Sequence, residues 1–243
     1  MQISEYENIF KNEESHFYYR AINGLVLCLL KREGIKRDGK ILDAGCGTGG
    51  LLIEMSKKYN VQGIDVSSEA LKFCNKRKVK ARLGSLEELP FKSETFDAVT
   101  SIDVIYHKFI KDDTKAVSEL VRVLKPGGIL ILRAPAFNFL KNDHDKVVMT
   151  SRRYTKKEFK KLAKKVKLEV IQISYLNPIL FFLSILTKTR SGSSVGRVNP
   201  LVNWLGLAVL NFENLLVSWG LSLPIGQGVL LVARKRDFDK SKQ

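Results

Sequence analysis

The feature that most constrains this chain is the run Ile41-Leu42-Asp43-Ala44-Gly45-Cys46-Gly47-Thr48-Gly49-Gly50, which leads straight into Leu51-Leu52-Ile53. An apolar stretch meets clustered glycines and then a second apolar stretch, the pattern of a buried strand that turns sharply into a helix. Glycine has no Cβ, so such a turn can bring its backbone close to a ligand. The unsatisfied amides at the start of the following helix favour polar or anionic groups there. Taken as Gly45-x-Gly47-x-x-Gly50, the run equally fits a dinucleotide-binding loop.

Short apolar runs alternate with amphipathic helical stretches downstream of a helical leader that reaches Leu30. Strands are expected at 40–44, 61–65, 79–84, 96–101 and 129–133, with helices at 50–59, 68–76 and 113–124. That order predicts an α/β fold, a parallel sheet with helices on both faces. Within 113–124, Ala116, Val117, Leu120, Val121 and Leu124 form one apolar face, and Pro126-Gly127-Gly128 ends the helix. A later helix opens on Thr155 and Glu158 as a capping box and buries Phe159, Leu162, Ala163 and Val166, leaving its lysines outward.

Two further strands are expected at 168–174 and 228–235, separated by roughly fifty residues, far more than an ordinary loop. The apolar stretches 179–186 and 201–210 inside this insertion are too short to span a bilayer, and Asn211, Glu213 and Asn214 interrupt any extension. They are expected to be helices that form a lid, a partner surface or a membrane-surface face, or that simply pack on the sheet.

A chain of 243 residues that is 44% hydrophobic can bury one full core, so a single domain over 1–243 is expected. Its parts are a leader (1–39), a binding core (40–174), the insertion (175–226) and a final strand (227–235). The leader carries Glu5, Glu7, Glu13 and Glu14 and lacks the basic head and short apolar run of a secretory signal. Cys28, Cys46 and Cys74 are odd in number and, like His16, His107 and His144, lack metal-ligand spacing, so no metal is expected. These features lead to the expectation of a cytoplasmic location, free or peripheral at the inner membrane face. The net charge is +16, and the 141–167 stretch holds eleven Lys/Arg against three Asp/Glu. Such a patch attracts phosphates, anionic lipid heads or nucleic acid, although most single lysines there fit a solvated helix face.

Asp43 closes the first strand just ahead of the first glycine, and here the run resembles the Asp-x-Gly-x-Gly-x-Gly loop of class I S-adenosylmethionine (SAM)-dependent methyltransferases. Four further blocks resemble that family in order and spacing. Val61-Gln62-Gly63-Ile64-Asp65 ends the second strand on an acid, about twenty residues past the glycines, where both hydroxyls of a ribose can be accepted. The turn Leu83-Gly84-Ser85-Leu86 is similar to the family's adenine-holding motif, with Ser85 where many relatives carry Asp. The run from Phe96 to His107 is similar to the strand that passes SAM into the acceptor pocket. Leu124-Lys125-Pro126-Gly127-Gly128-Ile129-Leu130 is similar to the turn before the fifth strand.

The resemblance covers residues 40–135. It implies a Rossmann-like, seven-stranded, mostly parallel sheet whose last strand is antiparallel and follows a helical insertion, with SAM as cofactor. The cofactor-binding positions it implies are Asp43 with Gly45, Cys46, Gly47 and Gly49 in the loop. Asp65 and Val66 follow at the second strand, Ser85 and Leu86 in the third motif, and Ser101 and Ile102 on the fourth strand.

Past that core, Arg133-Ala134-Pro135-Ala136-Phe137, His144-Asp145 and Thr150-Ser151-Arg152-Arg153-Tyr154-Thr155 resemble a bacterial and archaeal subgroup of the family. By motif position, Tyr106, His107, His144 and Asp145 are candidate catalytic groups. Each also has a structural reading: His107 could cap a helix, and the His144-Asp145 pair could pin its loop to Arg152 or Arg153. Arg152, Arg153 and Tyr154 are the candidate substrate-binding residues, since a guanidinium suits a phosphate or carboxylate. The expected acceptor is a small molecule or a lipid-like, anionic one at a membrane surface. Methylation of RNA or protein is the second reading, motivated by the charge but unsupported by any RNA-binding module. A non-catalytic SAM-binding regulatory subunit is the third, and a nicotinamide-dependent oxidoreductase is the remaining rival for the glycine loop.

Overall fold

The computed structural model describes residues 3–186 and 198–237. Its strands are β1 (Lys40–Ala44), β2 (Asn60–Asp65), β3 (Ala81–Leu83), β4 (Phe96–Ile102), β5 (Leu124–Pro135), β6 (Leu168–Leu176) and β7 (Gly228–Lys235). They form one sheet in the order β3-β2-β1-β4-β5-β7-β6. β1 to β5 run parallel, and β7 is antiparallel to both its neighbours. This is the Rossmann-like α/β sheet expected from the sequence, with the last strand reversed.

Side-chain alternation along the strands builds two cores. Ile41, Ile129, Ile131, Leu230 and Val232 share a cluster with Leu25, Leu29 and Leu52 of helices α2 (Phe17–Arg32) and α3 (Gly50–Ser56). On the opposite face, Leu42, Leu130, Leu132 and Leu231 join Leu120 of α5 (Asp113–Val123) and Phe159 of α7 (Lys156–Lys165). Each aliphatic side chain fully buried this way contributes roughly 1.5–3 kcal/mol relative to exposure.

Local signals place the helix ends. Asp112 caps α5 by accepting from the amides of Thr114 and Lys115. In α7, both halves of the Thr155–Glu158 capping box are formed. The helix after the glycine turn stops at Ser56, short of residue 59, because Lys58 and Tyr59 both donate to the Met55 carbonyl and close the last turn. The leader is two helices, α1 (Ile3–Asn12) and α2, broken where His16 caps the second by accepting from the Tyr18 amide. α4 (Ser68–Lys76) follows β2, and the short α6 (Asp143–Val147) follows β5.

The insertion is helical in its described parts, with α8 (Pro178–Leu186) and α9 (Pro200–Ser218); residues 187–197 of it lie outside the described residues. One expectation is overturned. The second apolar stretch does not end near residue 210 but continues to Ser218, which makes α9 long and apolar enough, by length and composition, to cross a membrane. Glu213 and Asn214 do not interrupt it because they point inward: Glu213 accepts from the Ile179 amide, and Asn214 donates to the Ala21 carbonyl.

Candidate active site

A cavity of about 610 Å³ opens at the carboxyl ends of β1, β2, β4 and β5. It straddles the point between β1 and β4 where the strand order reverses, the position where open α/β sheets receive ligands.

One end is built by the glycine turn. Gly45, Gly47 and Gly49 all have positive φ, and a Cβ on Gly45 would collide with the Val104 side chain. Gly45 and Cys46 donate their amides to the Ile64 carbonyl, which ties the turn to β2. Asp43, 3% exposed, accepts from the Thr100 hydroxyl at 2.8 Å, and burial pushes its carboxyl up to about 7. Asp65 accepts from the Gly47 amide on one oxygen and from the Ser67 amide on the other, each at 2.9 Å. Burial raises its pKa in spite of these bonds.

Of the residues implied as cofactor-binding, Asp43, Gly45, Cys46, Gly47 and Asp65 line this end, together with Val66, Ser85, Leu86 and Ile102. Two positions fall elsewhere. Gly49 lies off the wall and caps α3 in a left-handed conformation, close against Val79 and Cys74. Ser101 is fully buried and donates to the Ala44 carbonyl, holding β4 to β1. Both serve the turn's geometry from behind.

The leader supplies a wall that the motifs did not indicate. Glu5, Tyr6 and Ile9 of α1 line the cavity, and Glu13 reaches the turn itself. Its carboxylate accepts from the Thr48 hydroxyl and pairs with the buried Arg77 guanidinium of the α4 end. Gly50 leaves space for Glu13, since a Cβ there would overlap its carboxylate. Arg77 also donates to the Thr48 carbonyl at 2.8 Å, so one ion pair clamps leader, turn and α4 together. No local pattern marks Glu13, which reads in sequence as one more leader acid.

The other end of the cavity is polar and buried. Asp103, at the end of β4, adopts φ +58° and pairs with Arg133 of β5, which donates to the Tyr18 hydroxyl at 2.8 Å. A Cβ on Gly228 would meet that guanidinium at 2.7 Å, so β7 makes room for it. Arg133 is 3% exposed, and one Asp103 oxygen, the Arg133 Nε, the His107 Nδ1 and the Thr150 hydroxyl are buried without a hydrogen-bond partner. All four residues line the cavity. A native fold rarely leaves several such groups together unless a ligand or water completes them.

Among the candidate catalytic groups, Tyr106, His107, His144 and Asp145 all reach this wall. Burial lowers His107 to about 4, so its imidazole is neutral at physiological pH, and it raises Tyr106 and Tyr18, which keep their protons. Asp145 is committed elsewhere: it pairs with Arg153 at 2.9 and 3.0 Å and accepts the Asn142 amide at the start of α6. Burial, which raises it, is outweighed by that guanidinium, and the carboxyl sits below its ordinary value, which suits a clamp and not a base. Arg153 lines the cavity but also donates to the Ala136 carbonyl. Arg152 and Tyr154 do not reach the wall; both bond Asp113 Oδ2, at 2.9 and 3.1 Å, and fasten the start of α5.

Residues 42–132 match the model of the methyltransferase domain. Norajmaline N-methyltransferase of Rauvolfia serpentina is 32% identical over 130 residues, 46% of this chain and 44% of that protein. The tRNA (carboxymethyluridine(34)-5-O)-methyltransferase of Arabidopsis thaliana is 35% identical over 101 residues, 41% of this chain and 25% of that protein. The chain therefore spans less than half the length of these curated relatives. Among solved structures, a SAM-dependent methyltransferase of Thermotoga maritima superposes with a TM-score of 0.62 at 22% identity, covering 96% of each chain, and so shares the fold.

Proposed function

We propose that this chain, whose residues 42–132 match a methyltransferase domain, transfers the methyl group of SAM to a small or lipid-like acceptor bound at the polar end of its cavity. The observation that carries the reading is the cavity itself, in which a glycine turn flanked by two strand-end aspartates faces a cluster of buried, incompletely bonded polar groups.

The residues present fit SAM. A loop with no room for a Cβ at Gly45, beside the buried Asp43, suits the amino-acid end of the cofactor. Each Asp65 oxygen accepts one amide and keeps a second lone pair for a ribose hydroxyl. Val66 and Leu86 offer apolar surface for the adenine. Bound there, SAM supplies an electrophilic methyl group. The chain's own task is to hold the nucleophile in line with it and to exclude water.

Asp103 is the group best placed for that task. Its free oxygen can accept the N–H or O–H of the acceptor, while Arg133 and Tyr18 fix its orientation. His107, neutral and with Nδ1 unbonded, can accept a second proton-bearing group. With Tyr106 and Tyr18 protonated, the wall holds no phenolate to ionise an alcohol. That favours an amine in its neutral form, which attacks through its lone pair and passes the proton it loses to Asp103 or His107.

Methylation of RNA is the second reading, supported by the likeness to the plant tRNA enzyme and by the net charge of +16. One experiment separates the readings: tritiated methyl-SAM is incubated with the protein and cell extract, and the label is followed into lipid, small-molecule, nucleic-acid and protein fractions. Label in the lipid or small-molecule fraction is expected. Label in RNA would replace the acceptor assignment, and tight SAM binding with no labelled fraction would favour a regulatory subunit.

A further inference from the structure

We infer that the outward face of α8 and α9 is a docking surface for an anionic lipid bilayer, one that holds the cavity mouth against the membrane. α9 is amphipathic in the reverse sense for a surface helix. Three of its polar residues face the protein, while Asn211 is exposed: Asn203 bonds the Phe17 amide and the Ser15 carbonyl, Asn214 the Ala21 carbonyl, and Glu213 the Ile179 amide. Leu210 and Val217 are buried, but Leu201, Leu205, Phe212, Leu215 and Trp219 face outward, spaced as one helical stripe and 43–70% exposed. On α8 only Phe181 is buried, while Ile179, Phe182, Leu183 and Leu186 are 48–78% exposed.

Thirteen of the twenty large apolar side chains exposed among the described residues fall between Ile179 and Leu221. A monomeric protein rarely leaves so much contiguous apolar surface bare. The helix bearing the stripe is bound along its inner side to α2 by Asn203 and Asn214 and to α8 by Glu213, so it lies on a surface and does not cross it.

Charge selects a bilayer as the occupant. The outward stripe carries no charged residue, yet the border beside it is basic. Lys156 at the start of α7 donates to Ser222 Oγ and to the Leu223 carbonyl, just past α9, and Lys157, Lys160, Lys161, Lys164 and Lys165 are exposed along the same helix. An apolar face that inserts and a lysine row that meets lipid phosphates are the two contributions by which a peripheral protein holds an anionic membrane. Trp204 and Trp219 add side chains suited to the boundary between headgroups and acyl chains.

The same face borders the cavity. Phe17 lines the cavity, and a Cβ on Gly206 of α9 would meet its ring at 2.8 Å. Gln227, also on the wall, donates to Ser184 of α8 at 2.9 Å. Docking thus brings the cavity rim to the lipid, where an amphiphile can enter. Delivery of such an acceptor rests on the proposed function; docking does not.

Both tryptophans of the chain lie on this face, so intrinsic fluorescence reads docking without a label. Vesicles of equal parts phosphatidylglycerol and phosphatidylcholine are expected to float the protein at low salt and to shift its emission to the blue, and phosphatidylcholine alone to bind it more weakly. Leu205→Glu combined with Phe212→Glu, two exposed positions off the cavity wall, is expected to abolish flotation with an unchanged thermal unfolding curve. Lys157→Ala and Lys161→Ala should each weaken vesicle binding about fivefold. Absence of flotation for the folded wild-type protein, or flotation that survives the double substitution, overturns the inference. So does a dimer in sedimentation that the double substitution dissolves while vesicles bind neither form. A protein that floats but fails to bind SAM leaves docking standing and defeats the proposed function instead.

Discussion

Asp43 and Asp65 end neighbouring strands and face one cavity, but they are held differently, and each leads to its own test. Asp65 keeps two amide donors and free lone pairs, so Asp65→Ala should weaken SAM binding by about 1.5–3 kcal/mol, the range for charge-assisted hydrogen bonds. Isothermal calorimetry checks this, and an unchanged affinity would remove Asp65 from the ribose site. Asp43 has a single hydroxyl donor and is raised to about 7 by burial. Its proton is bound more tightly in the folded chain than in the unfolded one. The stability it contributes is therefore complete below about pH 4, the ordinary carboxylate value, and is lost as pH rises toward 7. A cationic ligand end beside it favours the ionised form and expels that proton. SAM affinity should then rise with pH between about 6 and 8, by as much as about tenfold per unit below 7, and Asp43→Asn should flatten the dependence. Calorimetry in two buffers of different protonation enthalpy measures the released proton directly. No release would mean that the carboxylate does not meet the cofactor's positive end.

At the scale of elements, the glycine turn and the leader cooperate, and only the first could be read from sequence. Gly45 combines φ +86° with contact against Val104, so Gly45→Ala should cost at least about 1–2 kcal/mol from backbone conformation alone. Gly24, inside α2 with open space at its Cβ position, is the counter-case: Gly24→Ala should stabilise by about 0.5–1 kcal/mol. Urea midpoints of the two variants should move in opposite directions, and a common direction would refute the conformational argument. The turn was legible because its signal is local, with strand, glycines and helix start lying within about a dozen residues. The α7 capping box was legible for the same reason. Glu13 was not, since its partners Thr48 and Arg77 lie 35 and 64 residues away and nothing in the leader announces them. Nor could the sequence separate Arg153 from Arg152, as their roles depend on whether Asp145 or Asp113 stands opposite. α9 departs from expectation for a related reason: Glu213 and Asn214 suggest the end of an apolar run, whereas in the fold both turn toward the protein.

For the molecule as a whole, a parallel sheet covered on both faces was legible; since each strand–helix repeat crosses over in one hand, covering both faces needs a reversal of strand order, which the fold places between β1 and β4. The cavity spanning that point draws on α1, α2, the turn, four strand ends and the rim at Val198 and Gln227, so a ligand filling it couples segments from both ends of the chain. Binding should then appear as global stabilisation. At a ligand concentration about one hundred times Kd the folded state gains about 2.7 kcal/mol, and in a chain of this length each kcal/mol moves Tm by about 2–4 °C. SAM and its demethylated product should therefore each raise Tm by about 5–10 °C. NAD should leave it unchanged, because its diphosphate would have to lie beside the two buried carboxyl groups of Asp43 and Asp65. Scanning calorimetry with the three ligands is the check. A shift with NAD and none with SAM would reassign the glycine turn to a dinucleotide and remove the ground for methyl transfer, while leaving the fold as it is.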